Sequence, residues 1–366
     1  MENELMNFIK VWTSVFISLS YCNYVARFIP KGTPRLLSIL PIVTLFVFLP
    51  LNLNSVNLSG PTSFFIAWLA NFKLLLFAFG KGSLSPTSPL SLPDFMVLAC
   101  LPIKTRENPS SKPTKNAIMS PKIYTTKALL LTILFKVYDY NDHIPKILIL
   151  ANHGVQIYLA LEIMLASAAA LARSLSSHEL EPQFNKPYLS TSLQDFWGRR
   201  WNLIVSRTLK PTIYNPVLKF SAQLLGRKWA PIPAVMSTFI VSALMHELVI
   251  YHMLRVKGSW EMSCFFLLHG VCLVIEIILK KIFAHRCQLP QLVTGPLTVI
   301  FVMVTAFYLF LPPFLHGNLF NRAMEEYAMF GDFVKGFRHG LMPLTPKFNQ
   351  TSNNLMILET LGSSRI

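Results

Sequence analysis

Charge is scarce in this 366-residue chain: Asp, Glu, Lys and Arg make up 14% of it, where soluble proteins carry about 25%. That excludes a water-soluble globule. Acidic residues are the scarcer kind, 17 against 33 basic. Cysteine is sparse too. Cys22, Cys100, Cys264, Cys272 and Cys287 are odd in number and contain no C-x-x-C pair, which argues against both a disulfide framework and a cysteine metal site. The chain has no G-x-S-x-G elbow, no G-x-x-x-x-G-K-[ST] phosphate loop and no G-x-G-x-x-G turn. Its nine histidines never form H-x-x-H, H-x-x-x-H or H-E-x-x-H. His246 and His252 come nearest, but six residues place them about 120° apart around a helix, so no metal is expected.

Apolar residues are abundant, 52% hydrophobic and 12% aromatic, and they gather in blocks long enough to cross about 30 Å of hydrocarbon. The expected fold is an all-α, polytopic integral membrane protein. About eight spans, within a range of seven to nine, are read at 8–26, 36–53, 61–80, 123–138, 144–173, 231–254, 260–279 and 292–314. The first block reads as a retained signal anchor. The fourth is short, and the first and third contain Lys10 and Lys73.

Basic residues sit in alternate connections. Arg27, Lys31 and Arg35 flank the first link, whereas Asn52 to Gly60 carries no charge. The third link holds Lys81, Lys104, Arg106, Lys112, Lys115 and Lys122, the fourth Asp139 and Asp142, and the stretch 174–230 is basic again. By the positive-inside rule the odd links are cytosolic and the N-terminus lumenal. Topology accounts for the net charge of +16 without nucleic acid, which is not expected as a partner. Sequons at Asn57 and Asn349 fall on the lumenal side.

We read one membrane domain over 1–366. Within it, 81–122 is a cytosolic Ser/Pro/Lys-rich loop with an interfacial segment from Phe95 to Ile103, 174–230 is a cytosolic loop with an interfacial helix, and 315–366 is a peripheral tail.

Two places stand out chemically. The first is Ser192-Leu193-Gln194-Asp195-Phe196-Trp197-Gly198-Arg199-Arg200-Trp201-Asn202. Ser192 with Asp195 is a capping-box pattern that predicts a helix start. Continued as a helix, Asp195, Arg199 and Asn202 form a polar stripe, and Trp197, Trp201 and Ile204 an aromatic one opposite. Such a helix suits a membrane interface, where tryptophan and arginine also serve as plain anchors. The second is Ser242-Ala243-Leu244-Met245-His246-Glu247-Leu248, near the middle of an apolar span. Ionisable groups at that depth are costly and mark function by default, although a histidine can also bond helices together there. Small residues one turn before His246 leave space over its ring.

At these two places the chain resembles the plant wax synthase family, long-chain-alcohol O-fatty-acyltransferases related to the membrane-bound O-acyltransferases. That superfamily is marked by an Asn ending a Trp-rich motif and a His in a following apolar segment, here Asn202 and His246; the likeness extends through Glu181 to Tyr188. The resemblance implies acyl transfer from acyl-CoA, a co-substrate, to a long-chain alcohol or another lipid hydroxyl such as a sterol or diacylglycerol, in the endoplasmic reticulum, with no cofactor. His246 and Asn202 are then catalytic. Asp195, Trp197, Arg199, Arg200, Trp201 and Glu247 bind substrate. Imidazole, with a free pKa of about 6.5, is matched to removing a hydroxyl proton during attack. Asn202 either donates to the oxyanion or orients the alcohol. Arg199 and Arg200, with Lys186, Arg207 and Lys210, either meet the CoA phosphates or supply a topology signal. Cys264 and Cys272 offer a covalent route or are small span residues. From another class, a secondary transporter would use His246 and Glu247 for proton coupling, although two similar halves are absent from the sequence.

Overall fold

A helix satisfies its own backbone in lipid, and the computed structural model follows that logic. It describes residues 2–86, 90–102, 121–137, 143–175, 183–283 and 290–338, and every regular element among these is helical. Seven helices among the described residues are long and apolar enough to cross a membrane. They are α1 (Glu2–Val25), α2 (Thr33–Phe48, extended to Asn52), α3 (Val56–Ala78), α6 (Lys146–Leu175), α9 (Pro231–Leu254), α10 (Glu261–Ile282) and α11 (Gln291–Thr305, extended to His316). The protein is a multi-pass membrane protein.

The expected span at 123–138 is α5 (Pro121–Lys136), whose 16 residues reach about 24 Å at 1.5 Å each, short of a full bilayer. It nonetheless runs antiparallel to α6. Asn152 Nδ2 and Gln156 Nε2 donate to Leu134 O at 3.3 and 3.0 Å, and about two turns away Lys127 pairs with Glu162. The alternation of sides is therefore kept although α5 alone cannot span. Asp139 and Asp142 lie outside the described residues.

Contacts between connections sort the chain ends onto two faces. At one end, Glu4 Oε1 accepts from Asn54 N and Ser55 N at 2.6 and 2.8 Å, while Arg255 donates to Leu53 O at 2.9 Å. There also Glu326, on α12 (Leu319–Arg338), caps α3 through Val56 N at 2.8 Å and Asn57 N at 3.0 Å. At the other end, Arg35 closes the end of α1 on Ala26 O and Ile29 O, both at 2.9 Å, Gly32 N donates to Ala78 O at 2.8 Å, and Lys281 Nζ donates to Lys228 O at 2.5 Å. The second and sixth links meet at the first face and the first, third, fifth and seventh at the second; most of the fourth lies outside the described residues. The Asn57 amide is taken up: Nδ2 donates to Glu326 Oε2 at 2.8 Å and Ala323 O at 3.2 Å. A glycan there is incompatible with this packing, and Asn349 lies outside the described residues.

The segment expected at the interface is instead a buried helix, α4 (Leu92–Cys100). Phe95, Leu98, Ala99 and Cys100 join the main core. Ser91 caps its start by accepting from Asp94 N at 3.2 Å, and Lys73 ends it, Nζ donating to Leu98 O at 2.6 Å and Leu101 O at 2.7 Å. A lysine inside a span thus finds carbonyl partners at a helix C-terminus, where positive charge is favoured. The rest of this loop, 103–120, lies outside the described residues.

The interior is divided. One core gathers α1 to α4, α6, Phe184 and Ile204. The other gathers α9, α10 and the start of α12 with the far end of α11.

Candidate active site

The Trp-rich segment lies across the seam between these cores. Asp195 Oδ2 accepts from Thr191 N at 3.3 Å and not from Ser192 N, so the capping box lacks its reciprocal half, but Ser192 Oγ accepts from Asp195 N at 3.2 Å and the expected helix start forms. The expected continuous helix does not. After Leu193–Asp195 the chain makes a wide π turn over Phe196–Arg200, closed by Trp201 N donating to Phe196 O at 2.9 Å, and breaks at Trp201. Asp195 therefore pairs with Arg200, at 2.6 Å, and not with Arg199, which faces solvent. The two tryptophans also separate. Trp197 packs on Phe239, Phe265 and Phe266, whereas Trp201 stacks on Phe196 at 5.3 Å and meets Phe184 and Tyr158. A wide turn followed by a break carries them off any common stripe.

Asn202 is the pivot. Its φ of 34° lies in the left-handed region, which Asn tolerates better than most residues. Two backbone bonds frame it, Asn185 N to Arg200 O at 2.9 Å and Leu203 N to Gln183 O at 2.8 Å. It occupies the N-cap of α7 (Leu203–Leu209) but makes no side-chain cap, the usual task of Asn there. Its Oδ1 is buried without a protein partner. A buried amide oxygen left unpaired costs about 1–3 kcal/mol, an expense that a bound hydroxyl would remove.

His246 lies on α9. Its Nδ1 is 2.7 Å from Ser242 O. A carbonyl only accepts, so in the uncharged ring the proton is on Nδ1 and the Nε2 lone pair is left for chemistry. Phe266 lies against the ring at 4.2 Å and Phe310 at 6.2 Å, yet the residue keeps accessible surface and is half-buried. Val205 and Leu209 of α7 and Val241 and Met245 of α9 pack in one cluster with Trp68 and Phe72. Asn202 therefore begins a helix that shares with the His246 helix a cluster built on α3. Phe266 in turn touches both Trp197 and His246.

The remaining expected residues divide by what they touch. Arg200, besides Asp195, donates to Asn185 O at 3.3 Å and Lys186 O at 3.4 Å, so it closes the loop; Arg199 is the arginine that projects outward. Glu247 does not reach the site: its Oε1 accepts from Ser263 N at 3.1 Å and Ser263 Oγ at 3.0 Å. It caps α10, because the free N–H groups of a helix start need acceptors and none is available from water at that depth. Cys264 is on an exposed face.

Glu276 and Lys280 of α10 went unassigned in the sequence, and His269, in the middle of the same span, reads there as a histidine bonded between helices for packing. Glu276 Oε2 accepts from Leu193 N at 2.9 Å and Gln194 N at 3.4 Å, and Lys280 Nζ reaches Gln194 Oε1 at 3.2 Å. His269 Nδ1 accepts from Trp197 Nε1 at 3.1 Å. Positions 269, 276 and 280 share a helix face, so α10 is a rail on which the Trp-rich loop is seated. An acid inside an apolar run was the available signal.

An imidazole with one tautomer fixed inside a spanning helix, and a buried unpaired amide on a loop from the basic face, are the two polar groups that this site offers. Residues 180–268, which include both groups, match the Membrane bound O-acyl transferase family. The chain is 47% identical to an Arabidopsis thaliana protein named acyl-CoA–sterol O-acyltransferase 1, over 92% of this chain and 99% of that one. It is 43% identical to a probable long-chain-alcohol O-fatty-acyltransferase 1 from the same plant, over 92% and 99%. It is 41% identical to the long-chain-alcohol O-fatty-acyltransferase of Simmondsia chinensis, over 93% and 99%. The chain belongs to the plant wax synthase group of the membrane-bound O-acyl transferase family.

Proposed function

We propose that this protein transfers a long-chain acyl group from acyl-CoA to the hydroxyl of a long-chain alcohol, forming a wax ester in the endoplasmic reticulum membrane. The observation that carries the mechanism is the His246 Nδ1 to Ser242 O bond, which leaves Nε2 as the base. Nε2 takes the alcohol proton as the oxygen attacks the thioester carbonyl; the C–S bond breaks, and the imidazolium returns the proton to the departing CoA sulfur. Before attack Asn202 Oδ1, buried and unpaired, holds the alcohol O–H and orients its oxygen; the hydrogen then swings to His246 Nε2, since a hydroxyl has only one to give. With the amide turned about, its NH2 would instead donate to the oxyanion. Asp195, Trp197, Arg200 and Trp201 hold the loop that carries Asn202, and Arg199 offers charge to the CoA phosphates.

Identity with the plant sterol acyltransferase relative favours a second acceptor, a sterol hydroxyl, with the same chemistry. Microsomes carrying the protein, given labelled acyl-CoA with fatty alcohol, sterol or diacylglycerol in competition, decide the acceptor. Label entering sterol ester alone would overturn the alcohol reading. Ester formation by His246→Ala at the wild-type rate would overturn the base.

A further inference from the structure

His269 is fully buried and touches no part of the reaction just described, yet its ring is bonded on both sides. Trp197 Nε1–H can only donate, so His269 Nδ1 accepts. Thr305 Oγ1 gives its own hydrogen to Phe301 O at 2.8 Å, so it accepts from His269 Nε2–H at 2.8 Å. One tautomer satisfies the whole chain, which runs from indole to imidazole to hydroxyl to a carbonyl of α11. Three elements meet there: the Trp-rich loop, α10 and α11.

The position matters because of what surrounds the indole. Trp197 packs on Phe266, and Phe266, one turn before His269 on the same face, covers His246 at 4.2 Å. The carbonyl of Trp197 accepts from Ser206 Oγ at 2.8 Å, which ties it to the helix that Asn202 begins. Trp197 thus meets the His246 side through its ring, by way of Phe266, and the helix of Asn202 through its main chain, and the indole N–H is the polar handle by which the ring's rotation is set.

Resting on the reading of His246 and Asn202 as the reacting pair, we propose that His269 is a positioning residue for acyl transfer: by holding Trp197 it fixes the loop bearing Asn202 against the wall bearing His246. Loss of that bond lets the loop shift while its apolar packing persists. Displacements of about 1 Å near reacting atoms cost up to about 100-fold in rate.

The test uses purified full-length protein in detergent, with kcat, KM for acyl-CoA and melting temperature measured for His269→Leu, His269→Asn, Trp197→Phe and the double variant His269→Leu/Trp197→Phe, beside His246→Ala. His269→Leu and Trp197→Phe are each expected to lower kcat about 10- to 100-fold with KM little changed. His269→Asn places an acceptor oxygen where Nδ1 stood and is expected to recover most of kcat. The double variant is expected to be no slower than the slower single, because both remove one interaction. Wild-type kcat in His269→Leu overturns the proposal, as do losses that multiply in the double variant. If His269→Leu fails to accumulate, Trp197→Phe decides alone: unchanged kcat at an unchanged melting temperature overturns the proposal. Full activity in His246→Ala is a separate result, which overturns the base assignment and not the bond between His269 and Trp197.

Discussion

Trp197 and Trp201 stand four residues apart and enter different cores: Trp197 meets Phe239, Phe265 and Phe266 on the α9–α10 side, and Trp201 meets Phe196, Phe184 and Tyr158 on the α6 side. The loop between them bridges the two halves of the protein, so both the placement of Asn202 and the cohesion of the bundle depend on it.

Trp201→Ala removes a large ring from an aromatic cluster, a change that costs about 3–5 kcal/mol in buried settings; with Trp201 half-buried, the lower end is expected. The melting temperature of the solubilised protein should fall, and Trp201→Phe should recover much of it. An unchanged melting temperature for Trp201→Ala would show that the loop does not bridge the cores.

Asn202 separates backbone from side chain. Asn202→Ala loses the amide and leaves a β-carbon at φ 34° without the polar group that lets Asn tolerate this region, a strain of up to about 1–2 kcal/mol. Asn202→Gly loses the amide without the strain. If the amide does the chemistry, both variants are inactive, and the Gly variant alone keeps the wild-type melting temperature. Activity in Asn202→Gly would reduce Asn202 to a turn residue.

Glu247 was expected at the substrate and sits at the start of α10. Glu247→Ala should lower the melting temperature by removing two acceptor bonds to Ser263, each worth about 1 kcal/mol and more for a charged partner. KM for acyl-CoA per folded enzyme should stay the same. A raised KM with intact stability would restore the substrate assignment.

Glu276 binds the loop start. Glu276→Leu leaves Leu193 N without its acceptor and is expected to reduce kcat while the protein still inserts; Glu276→Gln, which keeps one carbonyl oxygen, should be milder. Equal activity in all three proteins would mean that the loop is seated by its tryptophans alone.

Lys73→Met should destabilise by about 1–3 kcal/mol for each carbonyl left unpaired, here Leu98 O and Leu101 O. Proteolysis between 80 and 102 is the direct readout: cleavage should quicken in the variant as α4 loosens. No change would place α4 outside the folded core.

Much of this architecture was legible beforehand. Seven of the eight expected spans correspond to long helices, and Ser192 caps a helix start where its spacing put it. The stripe through Asp195, Arg199 and Asn202 was lost because periodicity presumes an unbroken helix, and neither the π turn at Phe196–Arg200 nor the left-handed Asn202 leaves a mark in local composition. Phe95 to Ile103 read as interfacial because it is too short to span; burial came from Lys73, whose partners lie 25 and 28 residues away. Residues 139, 142, 349 and the tail beyond 338 lie outside the described residues.

Membrane residence and helical class were determined by the sequence itself, because in hydrocarbon each helix must satisfy its backbone alone and about twenty residues of composition are enough to show it. Which polar side chains meet was decided only by the tertiary structure. Glu276 reaches Leu193 across 83 residues, Trp197 reaches His269 across 72, and Ser55 reaches Glu326 across 271. Such pairs form when packed helices bring distant groups out of water together and each must find a partner or remain unsatisfied, a constraint set by the assembled bundle and by no local stretch of chain.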